Sequence, residues 1–277
     1  MLTSPTQRIN INMSILWYPS VKQAPLSMGG MGGLVGSTTF AQGGPFNYSN
    51  DFDGTSELRL PWSNANLDFA SNGNITIEWW LYLDTLNNNN KSYQTMVGRW
   101  DGSLGYCWLV DTSKNSGNIN LYIGNGTGYT QSASTSNGVI AAGQWYHIAI
   151  VKNGSGSSNP KIYVDGTSVH SFTWNTANTN SVTGVAVGNN YPDSSNYGSG
   201  LDGKISNFRF THGVLYSSNF TPPTEPFSGD SGGATMLLMC KDADPTTAEV
   251  NYSDAGGTGS NTITNHGGVT SSTENPF

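Results

Sequence analysis

Apolar residues along the chain recur most clearly at every second position. The run from Ile75 to Asp84 puts Ile75, Ile77, Trp79, Leu81 and Leu83 on one face and Thr76, Glu78, Trp80, Tyr82 and Asp84 on the other. That alternation belongs to a strand with one buried face, and the first set is its natural core side. A polar run, Asn87 to Asn90, closes it. Shorter segments follow the same rule: Leu58 and Leu60; Tyr106, Trp108 and Val110; Ile119, Leu121 and Ile123; Val185 and Val187; Ile205 to Phe210; Ala234 to Cys240. Gly143 to Val151 is nearly continuously apolar, which predicts a central strand covered on both faces. In Lys161 to Thr167 the dipeptide Asp165-Gly166 supplies two residues suited to positive φ, the signature of a type I′ hairpin turn. Gly, Asn and Ser interrupt every stretch that might otherwise form a helix. Many short strands joined by polar turns predict an all-β sandwich or barrel.

Residues 1–44 depart from this pattern. Ala24 to Gly36 is rich in Gly and Met and shows neither period. Two readings stand: a loose terminus, or an arm that anchors on a partner through Trp17, Tyr18, Leu26, Met28 and Met31, residue types that act as interface anchors. Pro222, Pro223 and Pro226 suggest a boundary, but Met236 to Met239 is a strand that needs a sheet to join. Residues 45–277 therefore read as one domain, with the prolines in a rigid internal loop.

Of the 277 residues only 10% are charged, yet the chain holds eight Trp and thirteen Tyr. So many aromatics favour a folded core over disorder. The net charge is −7 and no Lys/Arg cluster occurs, which argues against nucleic acid and against an anionic membrane surface. No apolar run is long enough to span a bilayer. The first 25 residues lack a basic segment followed by an apolar one, so the expectation is synthesis in the cytosol without a secretory leader. Cys107 and Cys240 fit no zinc spacing and read either as two inert, half-buried thiols or as one long-range disulfide.

In order along the chain stand Phe52-Asp53-Gly54-Thr55, Ile75-Thr76-Ile77-Glu78-Trp79-Trp80, Gly143-Gln144-Trp145-Tyr146-His147-Ile148-Ala149, Ile162-Tyr163-Val164-Asp165-Gly166 and Leu201-Asp202-Gly203-Lys204-Ile205-Ser206-Asn207-Phe208-Arg209. This ordered set resembles the laminin-G-like, concanavalin A-like lectin/glucanase superfamily over about residues 46–277. The resemblance implies a two-sheet antiparallel jelly-roll sandwich, here preceded by an irregular N-terminal arm. A narrower likeness lies in Phe208 to Pro223 and in the ending Asn275-Pro276-Phe277. These resemble such domains in virion proteins of tailed bacteriophages. That likeness implies a structural accessory protein of the particle, as capsid decoration or as a tail or fibre component. It would be made in the host cytoplasm and would assemble with other virion proteins, and a homo-oligomer is compatible with it. The alternative is a glycan-binding host adhesin.

Glucanases of this superfamily carry Glu-x-Asp-x-x-Glu on one strand, which sets acid and nucleophile about 5 Å apart for retaining hydrolysis. Here the motif is missing, and Glu78 and Asp84, six residues apart on one face, stand roughly 20 Å apart at strand rise. A polysaccharide hydrolase is therefore disfavoured, and no catalytic residue is nominated. The four His show no metal-ligand spacing, and His147 reads as a hydrogen-bonded core residue. No cofactor is required. Calcium is compatible with the resemblance, which points to Asp53 and Asp202 before glycines at strand edges, although calcium wants six to eight oxygens. The competing reading makes both Asp-Gly pairs turn residues. For glycan, the candidates are Trp80 and Tyr82 on the face opposite the core, with Trp100, Tyr129, Trp174, Tyr191 and Tyr197 in or near loops. The competing reading has these rings cap the second sheet face.

Overall fold

A computed structural model describes residues 48–60, 67, 73–87, 92–101, 105–124, 129–154, 160–172, 184–189, 200–229, 232–251 and 262–277. The proposed arm, 1–44, with Trp17, Tyr18, Leu26, Met28 and Met31, lies outside the described residues. The described residues form sixteen strands, beginning with β1 (Ser49–Asp53), β2 (Glu57–Leu60), β3 (Ile75–Leu83), β4 (Tyr93–Asp101), β5 (Gly105–Ser113), β6 (Asn120–Gly124), β7 (Tyr129–Ser134) and β8 (Trp145–Lys152). They continue with β9 (Lys161–Val164), β10 (Thr167–Ser171), β11 (Val185–Val187), β12 (Asp202–His212), β13 (Ala234–Met239), β14 (Ala248–Asn251), β15 (Thr264–His266) and β16 (Thr270–Ser272). Among the described residues no helix is long and apolar enough to cross a membrane.

The strands form two antiparallel sheets. Sheet A runs β10-β9-β8-β3-β12-β1-β16, with β13 beside β12 and β14 beyond it; sheet B runs β15-β2-β11-β4-β5-β6-β7. The architecture is the all-β sandwich of the jelly-roll type that the sequence predicts. Its core lies between the sheets. Ile75, Ile77, Trp79, Leu81 and Leu83 are all buried there, as the alternation requires. Trp79 packs on Phe208 and Trp108 on Phe210, each at 6.3 Å between ring centroids. The Trp108 indole N–H donates to the Leu67 carbonyl at 2.8 Å, so its polar edge is satisfied inside the apolar layer. Each such side chain contributes about 1.5–3 kcal/mol by leaving water.

The predicted central strand is β8, flanked by β3 and β9. Its Ile148 and Ile150 face the core, while Ala149 and Val151 join Tyr163 in a second apolar cluster on the outer side. The hairpin forms with Asp165 at φ 47° and Gly166 at φ 73°. Cys107 and Cys240 are buried thiols and not a disulfide, and burial pushes the Cys240 thiol far up. The segment holding Pro222, Pro223 and Pro226 links β12 to its antiparallel partner β13 within sheet A.

One irregularity sets the outer face. In β12, the register against β3 shifts between Ser206 and Arg209, a β-bulge centred on Asn207 at φ 56°. Ile205 points into the core and Ser206 outwards. The extra residue reverses the parity, so Phe208 and Phe210 point inwards and Arg209 outwards, opposite Glu78. Asn207 is held there by its own N–H to the Cys240 carbonyl at 2.8 Å and by the Phe227 N–H to its Oδ1 at 2.8 Å.

Candidate functional site

The outer face of sheet A is divided by a strap, Gly213–Phe220, that crosses it. Thr76 fastens one end, donating its hydroxyl to the Gly213 carbonyl at 2.8 Å and accepting from the Leu215 N–H at 3.1 Å. Asn219 accepts from the Ser168 N–H at 3.0 Å, and the Phe220 N–H donates to the Gly166 carbonyl at 2.9 Å. Gly166 has to be glycine there, because a Cβ would collide with the Phe220 carbonyl and φ is positive.

Beneath the strap lies a sealed ionic cluster. Glu78, wholly buried, accepts at Oε1 from Arg209 Nε (2.9 Å) and Nη2 (2.6 Å). Its Oε2 is 3.1 Å from His147 Nε2 and accepts from the Tyr216 hydroxyl at 2.8 Å. A carboxylate only accepts, so the His147 contact places a proton on Nε2. Burial alone would raise the Glu78 carboxyl; the hydrogen bond from His147 and the charge of Arg209 outweigh it and hold the group below its ordinary range. Burial and the adjacent Glu78 charge push the Tyr216 phenol up. Trp80, Phe220 and Phe227 box the imidazole at 5.2–5.8 Å. With both oxygens occupied and water excluded, Glu78 has no route to a substrate.

Beyond the strap, the same face is open. Tyr82 and Trp145, cross-strand partners on β3 and β8, are both half-buried, with ring centroids 5.5 Å apart. Lys204 on β12 lies over the Tyr82 ring at 4.8 Å. Its ammonium is 3.3 Å from Asp84, 3.5 Å from Glu274 and 3.9 Å from Asp51. Burial pulls the Lys204 ammonium down, but Asp51, Asp84 and Glu274 outweigh it and hold the group above its ordinary value. This places a half-exposed aromatic platform next to a charged cluster that can both donate and accept, a combination suited to a ring with an apolar face and a hydroxylated edge.

The sequence candidates fare differently. Tyr82 belongs to the platform. Trp80 is half-buried, edge-on to His147 and 5.8 Å from Phe277, so it largely caps the sheet. Trp100 lies one residue from the end of β4, is 7% exposed, and packs on Tyr122 at 6.4 Å, leaving little ring face for a ligand. Tyr129 opens β7; its side chain lies outside the described residues, as do Trp174, Tyr191 and Tyr197. The platform residue that the pattern missed is Trp145. It sits at the mouth of a strand read as buried on both sides, and only its pairing with Tyr82 identifies it.

Asp53 and Asp202 do meet, as paired positions on β1 and β12. The Asp53 Oδ1, however, accepts from the Thr55 N–H (2.9 Å), the Thr55 hydroxyl (2.8 Å) and the Ser56 N–H (2.9 Å). Burial would raise its carboxyl, but these bonds hold it low. Burial, Asp84, Asp51 and Asp53 all push Asp202 up. Among the described residues no three His, Cys, Asp or Glu side chains are placed to hold a metal ion. The pair does not fit calcium's need for six to eight oxygens, and Asp53 serves its turn instead.

Comparison with known proteins agrees with this geometry at the level of the fold. No curated protein matches the chain. Among solved structures, a candidate carbohydrate-binding protein of Bacteroides ovatus superposes with a TM-score of 0.52 at 14% identity, over 82% of this chain and 59% of its own. The chain thus spans little more than half of that protein. Domain 4 of an extracellular arabinanase of Geobacillus stearothermophilus, solved with arabinotriose, gives a TM-score of 0.44 at 21% identity, over 60% of this chain and 71% of that one. A heptameric pentraxin of Limulus polyphemus gives 0.43 at 14%, over 68% and 94%. The family match is broader than half of the chain, running from Phe52 at the end of β1 to Asn219 in the strap. With its two-sheet topology, that match makes the chain a member of the laminin G-type family within the concanavalin A-like lectin/glucanases superfamily.

Proposed function

We propose that this domain is a non-catalytic, lectin-like module that binds glycan at the open end of the outer face of sheet A. Tyr82 and Trp145 stack on the sugar ring, and Lys204 with Asp84, Asp51 and Glu274 bonds its hydroxyls. The observation that carries this reading is the half-exposed ring pair at 5.5 Å beside the Lys204 cluster. Glycan-array binding by the full chain tests it: signal for the wild type and none for Tyr82→Ala/Trp145→Ala is expected. A wild-type chain that binds no glycan overturns it. The reading excludes hydrolysis, since Glu78 is sealed and the outer carboxylates share one ammonium; release of reducing ends from a polysaccharide would contradict it.

A second reading places the module on a tailed-phage particle, as capsid decoration or as a tail or fibre component. It would be made in the host cytoplasm, held to other virion proteins through residues 1–44, and turned towards host-surface glycan. The support is the run Phe208 to Pro223, which resembles such virion domains and here builds the strap itself. A map of intact particles checks this, and particles that assemble without the chain count against it.

A further inference from the structure

At the end of the outer face opposite Tyr82 and Trp145, the strap roofs a cavity of about 230 Å³ over β8 and β9. Val151 and Val214 give it apolar walls, and Lys161, Asn153, Tyr163 and Ser217 supply its polar lining. Tyr163 is wholly buried, and its hydroxyl has no hydrogen-bond partner among the described residues. Buried tyrosine hydroxyls nearly always find one. The Lys161 ammonium donates to the Ser217 carbonyl at 3.3 Å and has two further protons to give. Among the described residues no carboxylate lines the cavity, although Asp and Glu outnumber Lys and Arg by 18 to 11 in the chain. Tyr216, on the strap side, already donates its proton to Glu78. Among the described residues the lining therefore brings together Lys161, Tyr163, Asn153 and Ser217, with no carboxylate to answer them.

We infer that this cavity binds the carboxylate-bearing residue of an acidic glycan, a single hexuronate-type ring. Lys161 and the Tyr163 hydroxyl take the carboxylate, Asn153 bonds the ring hydroxyls, and Val151 and Val214 meet the ring's apolar face. The volume falls below the roughly 300–1,000 Å³ of common small-molecule pockets, so it admits one ring. The inference rests on the glycan-binding reading but uses none of the platform residues.

Calorimetric titration of the full chain with D-glucuronate, D-glucose and acetate tests it. Saturable glucuronate binding is expected, weakened tenfold or more by Tyr163→Phe and by Lys161→Met, and unchanged by Tyr82→Ala. Without ligand, Tyr163→Phe keeps or raises the melting temperature, because it removes an unpaired buried hydroxyl; lost binding then reports the site and not misfolding. Glucose binding as well as glucuronate, acetate matching it, or Tyr163→Phe leaving it intact each overturns the inference. If the array signal needs Tyr82 and Trp145 while glucuronate gives no heat, the platform stands and the cavity site falls. Glucuronate binding lost in Tyr163→Phe, with array binding indifferent to the platform variant, has the opposite meaning.

Discussion

Two stretches of one strand face share a direction and differ in fate. On β3, Thr76 and Glu78 lie under the strap and are wholly buried, while Tyr82 is half-exposed four residues further on. Each end pairs a cation of β12 with carboxylate. Under the strap, Arg209 and Glu78 form a closed pair with 8% and 0% of their side chains exposed. In the open half, Lys204 is shared among Asp84 and Glu274, which are 42% and 51% exposed, and Asp51. The closed pair carries stability, since breaking it strands a charge away from water. The open cluster keeps hydroxyl-binding capacity because its carboxylates reach water, which screens and solvates them, although Lys204 itself is only 10% exposed. What separates the two is a loop eight residues long, not the strand that both occupy.

The sharpest way to break this contrast is Arg209→Met, which leaves Glu78 buried without its cation. We expect a loss of about 3–5 kcal/mol in urea unfolding at neutral pH; a loss below about 1 kcal/mol would mean the cluster is not sealed. Sheet B supplies a counterpart. Asp111 is nearly as buried as Glu78, and Asn120 Nδ2 donates to it at 2.7 Å. Burial pushes its carboxyl up to about 7, and the Asn120 bond only partly offsets that. A raised carboxyl favours the protonated fold. Its contribution is therefore complete below about pH 4 and is lost as pH rises through about 7, with an upper limit of about 4 kcal/mol. Asp111→Asn should flatten unfolding free energy over that window while keeping the Asn120 bond. Glu78 has the opposite sign: its lowered carboxyl stabilises above the ordinary carboxylate range, and that part is lost on acidification.

In the open half, Trp145→Ala or Tyr82→Ala should weaken glycan binding by about tenfold, some 1.4 kcal/mol, with far less effect on unfolding than Arg209→Met. Equal losses of binding and stability would erase the distinction between the two halves. The smallest effect belongs to the fastening of the strap. Thr76→Val removes the hydroxyl that bonds Gly213 and Leu215. It should cost about 1 kcal/mol and speed hydrogen exchange at the Leu215 amide, leaving the platform unaltered.

Much of the fold was legible as alternation. Ile75 to Leu83 named its core face residue by residue, and Asp165-Gly166 named its turn, because both depend on neighbours within a few residues. Strands of polar sequence escaped notice: β4 with Gln94, Thr95 and Arg99, and β7 with Thr130, Gln131 and Ser132, pair by backbone and carry little hydrophobic signal. The bulge did leave a trace, since Ile205, Phe208 and Phe210 break the even spacing of a regular strand. The spacing shows that parity changes, but not that Arg209 thereby meets Glu78.

What the sequence determined by itself was the class: local periodicity decides which side of each strand avoids water, and enough amphipathic strands leave only a sandwich or barrel. The tertiary structure alone decided which polar residues on the other side stay wet. Glu78, Trp80 and Tyr82 alternate identically, and their separation into a sealed carboxylate, a capping indole and an open ring depends on a segment 130 or more residues away crossing one half of the sheet. No local pattern encodes that, because burial of an outer face is set by whatever distant chain folds across it.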